Sequence, residues 1–282
     1  MYIRKFTDAE KQFIITNYVE NRWTVLKISR FLKAGVATVR KVLHNEGVIR
    51  PVGTSNRKYI SNFKFFDCID NELKAYWLGA LYADGCVSVK TPLVRFSSID
   101  KDWIENYRKD LECKCPINIE HHKKFNKDIY KVSIANKQIV KSLINNGCIE
   151  RKSLIIKFPD LDKSLIPHFI RGYFDGDGCV HVGKYITGKN YLTLKVSICS
   201  GSKEFLNSLV QFLPVKCKLV RERKRNRIHP LYEIVLSVND SKFFYNYIYS
   251  NATRFLQRKK DKFDIFFQER GSTTIISPSC NL

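Results

Sequence analysis

Two aspartates, Asp84 and Asp177, stand 93 positions apart, and each closes a nonapeptide of the same build. The first reads Trp77-Leu78-Gly79-Ala80-Leu81-Tyr82-Ala83-Asp84-Gly85. The second reads Ile170-Arg171-Gly172-Tyr173-Phe174-Asp175-Gly176-Asp177-Gly178. Each has Gly at its third position, a small residue at its seventh and Asp-Gly at its end. As helices, they put Gly79 with Ala83, and Gly172 with Gly176, on one face. Two such faces can approach closely, as small-x-x-x-small helices do, and Gly85 and Gly178 suit a helix stop. The aspartates then end two neighbouring helices, where the helix dipole disfavours a carboxylate and the two repel each other. A divalent cation removes both objections. Hard carboxylate oxygens with few His or Cys nearby suit Mg²⁺ or Mn²⁺. Beside a surface that binds a polyanion, such ions suit phosphodiester hydrolysis, activating water and stabilising the leaving oxygen. A single Asp-Gly at a helix end is ordinarily a turn; its repetition in matched apolar helices favours the site.

The charge agrees with that chemistry. The 282 residues carry a formal net charge of +22, which points to a polyanionic partner. No run of about 18 apolar residues exists, and no apolar leader follows Met1, so neither a membrane span nor a signal peptide is expected. The nine cysteines form no Cys-x-x-Cys pair. They are expected to be reduced, small and mostly buried, in a cytosol-like compartment.

The elements that must position the aspartates form an internal repeat. After the first nonapeptide come strands at Cys86–Lys90 and Leu93–Ser97, a helix at Lys101–Leu111, strands at Ile117–Lys123 and Ile129–Ala135, and a helix at Lys137–Asn145. After the second come strands at Cys179–Gly183 and Tyr191–Cys199, a helix at Lys203–Leu213, strands at Lys216–Arg225 and Leu231–Val238, and a helix at Ser241–Tyr249. Each unit is α-ββ-α-ββ-α, and each closes on a basic segment, Arg151-Lys152 and Arg258-Lys259-Lys260. Strand alternation sends Val87, Val89, Val94, Phe96, Val132 and Ile134 towards the helices. It leaves Ser88, Lys90, Arg95, Ser97, Lys131 and Ser133 on the other face, with His181, Thr193, Lys195, Ser197 and Glu233 in the second unit. Arg221, Arg223, Arg225 and Arg227 recur at period two, which on a strand aims four guanidiniums one way.

Residues 1–50 read as a small all-α domain. Thr7-Asp8-Ala9-Glu10 is a capping box, helices follow at Val25–Leu32 and Val36–Asn45, and Lys33-Ala34-Gly35 makes the turn between them. This is a helix-turn-helix pattern, with Ala37, Thr38, Arg40, Lys41 and His44 as outward candidates for DNA contact. The first 60 residues alone carry a charge of +8. Residues 51–66 read as a basic linker, and Arg50, Arg57 and Lys58 are candidates for following a DNA backbone. The two repeat units occupy 67–160 and 161–270. Residues 271–282, without periodicity, are expected to be a disordered tail.

The two nonapeptides resemble the LAGLIDADG signature of homing endonucleases, in the single-chain form with two fused copies. The likeness covers about residues 65–270. It implies an α+β fold whose two pseudo-symmetric units form a DNA-binding saddle, with the strands in the major groove. It implies that the eighth signature position, Asp84 and Asp177, binds the metal, with the backbone of Gly85 and Gly178 beside it. It also maps a basic residue of the active-site water network onto Lys152 and Lys259, and a water-ordering polar residue near Ser98 and Ser200. The sixth position is Tyr82 in one copy and Asp175 in the other, so Asp175 is expected to make local hydrogen bonds rather than to act in catalysis.

The function expected is site-specific cleavage of both strands of duplex DNA with Mg²⁺ or Mn²⁺, at a long asymmetric target, by a monomer. An RNA-splicing maturase and a non-cleaving helix-turn-helix regulator are the alternatives; retention of both acids argues against each. An intein is disfavoured because no splice-junction blocks flank the repeat.

Overall fold

A computed structural model describes residues 6–21, 23–48, 59, 61–124, 126–187, 189–215, 220–223 and 229–269, with only the backbone described at 184–187 and 189–191. The chain divides into two compact units, Met1–Ile60 and Ser61–Leu282. The second begins earlier than the expected boundary at residue 67. Phe65 and Phe66 are buried, and Asn62 N donates to Leu111 O at 2.9 Å, so 61–66 belongs to the fold rather than to a linker. Arg50, Arg57, Lys58, Arg225, Arg227 and the 271–282 tail lie outside the described residues.

The first unit holds α1 (Asp8–Val19), α2 (Val25–Phe31) and α3 (Val36–Asn45). Thr7 and Glu10 form the expected capping box, satisfying N–H groups that the first turn leaves free. Phe6, Ile14, Ile28, Val39 and Leu43 make the core. Between α2 and α3 the left-handed residue is Lys33, with φ 47°, whereas Gly35 is extended and serves as the N-cap of α3.

The second unit contains the repeat. The first half runs α4 (Glu72–Asp84), β1 (Gly85–Ser88), β2 (Leu93–Ser98), α5 (Lys101–Asp110), β3 (Asn118–His122), β4 (Lys127–Ala135) and α6 (Lys137–Asn145), then a 3₁₀ turn at Lys152–Leu154. The second runs α7 (Ile166–Asp177), β5 (Gly178–Thr187), β6 (Lys189–Ser200), α8 (Lys203–Gln211), β7 (Val220–Glu222), β8 (Tyr232–Leu236), α9 (Val238–Tyr249) and α10 (Gln257–Glu269). Two antiparallel sheets result, ordered β1-β2-β4-β3 and β5-β6-β8-β7. The α+β class and the α-ββ-α-ββ-α order hold, with α10 added to the second half. The stretch expected to loop around residues 183–190 instead continues the β5–β6 pairing out to Thr187 and Lys189. The final strand stops at Leu236 because Ser237 caps α9.

Alternation works as the sequence requires. Val87, Val94, Phe96, Val132 and Ile134 are buried, as are Val180, Leu194, Val196, Ile198, Ile234 and Leu236. Each fully buried side chain of this kind contributes about 1.5–3 kcal/mol. Val89 departs from the expectation and is exposed, because β1 ends at Ser88 and Val89 falls in the turn. Among the described cysteines, Cys113, Cys115 and Cys148 are buried and none is bonded to another, but Cys68, Cys86 and Cys179 are exposed.

Candidate active site

Helices α4 and α7 pack backbone to backbone. A Cβ on Gly79 would overlap the Phe169 carbonyl oxygen, and one on Gly172 would overlap that of Tyr76. The contact is reciprocal, so only glycine at both positions allows the crossing. Gly176 sits against Ala83 and the Asp84 carboxylate. The small residues of the two nonapeptides thus bring Asp84 and Asp177 together at adjoining helix ends. Gly85 and Gly178 end the helices differently from a left-handed stop. Both are extended, at φ −79° and −88°, and the chain passes directly into β1 and β5. Glycine is needed there because a Cβ would strike Leu81 or Phe174 of the preceding turn.

Asp84 and Asp177 are exposed residues at the two helix ends, yet the packed helices beside them withdraw water from their carboxylates. That loss of water, reinforced by the neighbouring Asp177 charge, pushes the Asp84 carboxyl up to about 6; Lys259 and Lys152 partly offset it. Asp177 is also raised by desolvation, offset by the two lysines; the Tyr173 hydroxyl beside it donates to Cys199 O at 2.8 Å. Each half therefore supplies one acid whose ionised form its surroundings disfavour.

The two lysines expected at the site are there, and both are buried. Lys259, near the start of α10, donates to the carbonyls of Phe174 at 2.7 Å, Gly176 at 3.2 Å and Gly178 at 2.6 Å. Burial pulls its ammonium down to about 8, against the opposing pull of Asp175, Asp84 and Asp177. Lys152, on the 3₁₀ turn after the left-handed Arg151, donates to the Gly85 carbonyl. The Gly85 and Gly178 oxygens thus hold ammonium groups.

Among the described residues no group of three or more His, Cys, Asp or Glu is placed to hold a metal. Two carboxylates with open solvent in front nevertheless fit Mg²⁺, which keeps several waters and binds through one or two carboxylates together with phosphate oxygens. A cavity of about 980 Å³ opens beside Asp177, lined by Arg151, Lys152, Tyr173, Ser200 and His229 among others. Ser200 accepts from Ser202 N at 3.1 Å. Ser98, its counterpart, bonds Asp100 at 3.2 Å, and Asp100 in turn holds Arg258 at 2.8 Å. Sequence reasoning missed Tyr173 and named Arg258 only as part of a closing basic segment. The signal for the first was Tyr173 standing where the other nonapeptide has Ala80.

On the outer sheet faces, Lys90, Arg95, His181, Lys195 and Arg221 are exposed, and Ser88 and Ser97 half-buried. Lys131 is half-buried and paired with Glu120, and Arg223 lies 3.9 Å from Glu233. Ser197 is a correction: it lies on the outer face but is buried, a short side chain on a central strand between Cys179 and Val235. In α3, Arg40, Lys41 and His44 are exposed and Thr38 half-buried. No helix among the described residues is long and apolar enough to cross a membrane.

Residues 165–249 match a family model described as a LAGLIDADG-like domain. A probable translation initiation factor IF-2 of Methanocaldococcus jannaschii is 30% identical over 222 residues, which is 74% of this chain but 17% of that protein's length. Among solved structures, the I-LtrWI LAGLIDADG homing endonuclease bound to target DNA aligns at TM-score 0.49 and 16% identity, covering 75% of this chain and 92% of its own. Full-length DUF199/WhiA from Thermatoga maritima aligns at TM-score 0.44 and 20% identity, covering 77% and 67%.

Proposed function

We propose that this LAGLIDADG protein is a site-specific endonuclease that cuts both strands of duplex DNA with Mg²⁺ or Mn²⁺. The observation that carries the reading is the meeting of Asp84 and Asp177 at the joint of α4 and α7. Two carboxylates are held together at negative helix ends, at the cost of raising both from their ordinary value. A chain of net charge +22 has little reason to concentrate negative charge there unless a cation and a phosphate follow.

In this reading Asp84 and Asp177 hold the metal, which supplies activation of water and stabilisation of the leaving oxygen. Lys152 and Lys259 fix the backbone at the two helix ends through its carbonyl oxygens. They also keep positive charge beside the position of the scissile phosphate. Arg95, Lys195, His181, Arg221 and the adjoining outer-face residues contact DNA on both sides of the site. Residues of α3, Arg40, Lys41 and His44, add a separate contact through the first unit. The halves differ in sequence, so an asymmetric target follows, and one chain supplies both acids, so a monomer suffices.

The test is cleavage of a library of DNA sites with Mg²⁺ by the wild type, Asp84→Asn and Asp177→Asn. The wild type is expected to cut both strands and each variant to lose double-strand cleavage. Full-rate cutting by both variants would remove the proposed active site. Binding without any cutting would favour the non-cleaving regulator. DNA affinity should fall with salt at a log–log slope of about −0.9 per neutralised phosphate.

A further inference from the structure

We infer that the sixth residue of each signature copy, Tyr82 and Asp175, is a positioning residue that seats the active-site lysine of its own half. Only the kinetic arm of the test rests on the endonuclease reading. Tyr82 is buried and donates its hydroxyl to Asn146 O at 2.7 Å. Asn146 is the C-cap of α6, where carbonyls lack partners within the helix and the dipole is negative. A hydroxyl donor suits that end. Gly147, next in the chain, has φ +80°, and a Cβ on it would overlap the Tyr82 hydroxyl, so the cap is shaped around the tyrosine. Lys152 lies six residues beyond Asn146.

Asp175 is buried too. Its Oδ2 accepts from Leu256 N at 2.8 Å and from the Tyr76 hydroxyl of α4 at 2.7 Å. Leu256 immediately precedes α10, where N–H groups are free and the dipole is positive, so a carboxylate acceptor suits that end. Lys259 lies three residues further, and its backbone N–H bonds Leu256 O at 3.0 Å. The same signature position therefore tethers the lysine-bearing segment in both halves. Its chemistry switches from donor to acceptor because one segment is caught at a helix end and the other at a helix start. A residue that only filled space would need neither polarity.

The experiment is amine-selective acetylation of the full chain, without DNA or metal, read lysine by lysine by mass spectrometry. Tyr82→Phe should speed labelling of Lys152 about two- to tenfold, the scale of one lost hydrogen bond, and leave Lys259 unchanged. Asp175→Ala should do the reverse, and Asp175→Asn, which keeps an acceptor for Leu256 N, should restore slow labelling of Lys259. If both lysines respond alike to each variant, or neither responds, the assignment is overturned. Tyr82→Phe removes one oxygen and keeps the ring on Phe169, at 5.0 Å between centroids. That arm stays readable even where Asp175→Ala fails to fold; Tyr76→Phe, which removes the other donor to Asp175, then takes its place. In the kinetic arm, Asp175→Ala added to Lys259→Met should slow cleavage no further than Lys259→Met alone; independent, multiplying losses would count against the proposal. Should the wild type fail to cut DNA, the endonuclease reading falls while the labelling result still decides this one.

Discussion

Around the crossing of α4 and α7, the first half presents Leu78 and Tyr82 where the second presents Arg171 and Asp175. On one side Tyr82 stacks edge-on against Phe169, and Phe158 and Phe205 complete an aromatic wall. On the other, the Trp103 indole donates to Tyr76 at 2.7 Å and Tyr76 donates to Asp175. Arg171 there holds Glu72 at 2.6 Å and the carbonyls of Ile248 and Arg254, both at 2.7 Å. The backbones are nonetheless pseudo-symmetric, with reciprocal glycine contacts and matching terminal acids. The two halves thus share the glycines, the acids and a lysine on the carbonyl that follows each acid; much of what surrounds them is apolar in one half and charged in the other. The lysines show the consequence. Lys259 sits on three carbonyls and is drawn down to about 8, whereas Lys152 donates to the carbonyl of Gly85.

The largest effect should come from breaking the symmetric part. Gly79→Ala and Gly172→Ala each drive a Cβ into a backbone carbonyl of the facing helix, which no rotamer change can relieve. Both should cost more than the ~1–3 kcal/mol of ordinary overpacking, and by similar amounts, in urea unfolding. A large inequality between them would show that the crossing is less symmetric than its geometry. Next comes Arg171→Leu, which installs the residue type of the first half. It removes the Arg171 partner of Glu72, leaving it the Thr253 N–H at 2.7 Å, and takes a donor from two carbonyls, so a loss of about 3 kcal/mol is expected. Adding Glu72→Leu should recover part of it; no recovery would place the loss in the carbonyls instead.

Tyr76→Phe is smaller. It deletes the hydroxyl that links Trp103 to Asp175, for about 1–2 kcal/mol. The mirror change, Phe169→Tyr, puts a hydroxyl into the aromatic wall and should cost a similar amount unless it finds an acceptor. Equal and additive losses in thermal melts would support independent sides of the joint. Strong coupling between the two changes would show that the sides communicate through α4 and α7.

Much of this organisation was legible in the residues. The repeat, the strand faces and the close glycine approach followed from spacing, because each depends on local geometry that types such as Gly79 and Val94 dictate. The pairing of the acids followed from matching the two nonapeptides. What the sequence hid was long-range. Nothing near Lys152 or Lys259 shows that their ammonium groups end on Gly85 and Gly178 carbonyls. Nothing near Ser197 shows that Cys179 and Val235 flank it on the neighbouring strands. The seating of α10 by Asp175 required knowing that a residue 81 positions away, Leu256, returns to the end of α7. Alternation reports which face a residue occupies, and it is silent about what stands over that face.

The smallest effect should have the opposite sign. Asp84 is raised in the folded protein to about 6 from an ordinary value of 3.8, so the native state binds more protons than the unfolded state between those pH values. Stability without metal should therefore fall as pH rises from about 4 to 6 and stay at the lower level above that. Asp84→Asn removes the penalty and should raise the melting temperature at pH 7.5 while changing little at pH 4. The gain should be modest because Asp84 is exposed to water, which screens much of the repulsion. Added Mg²⁺ should reproduce the gain in the wild type at pH 7.5 and not in Asp84→Asn, since the ion stabilises the ionised pair. A melting temperature that rises with pH across this window would mean that Lys259 and Lys152 neutralise the acids fully. In that case the two halves would need no cation to settle their shared charge.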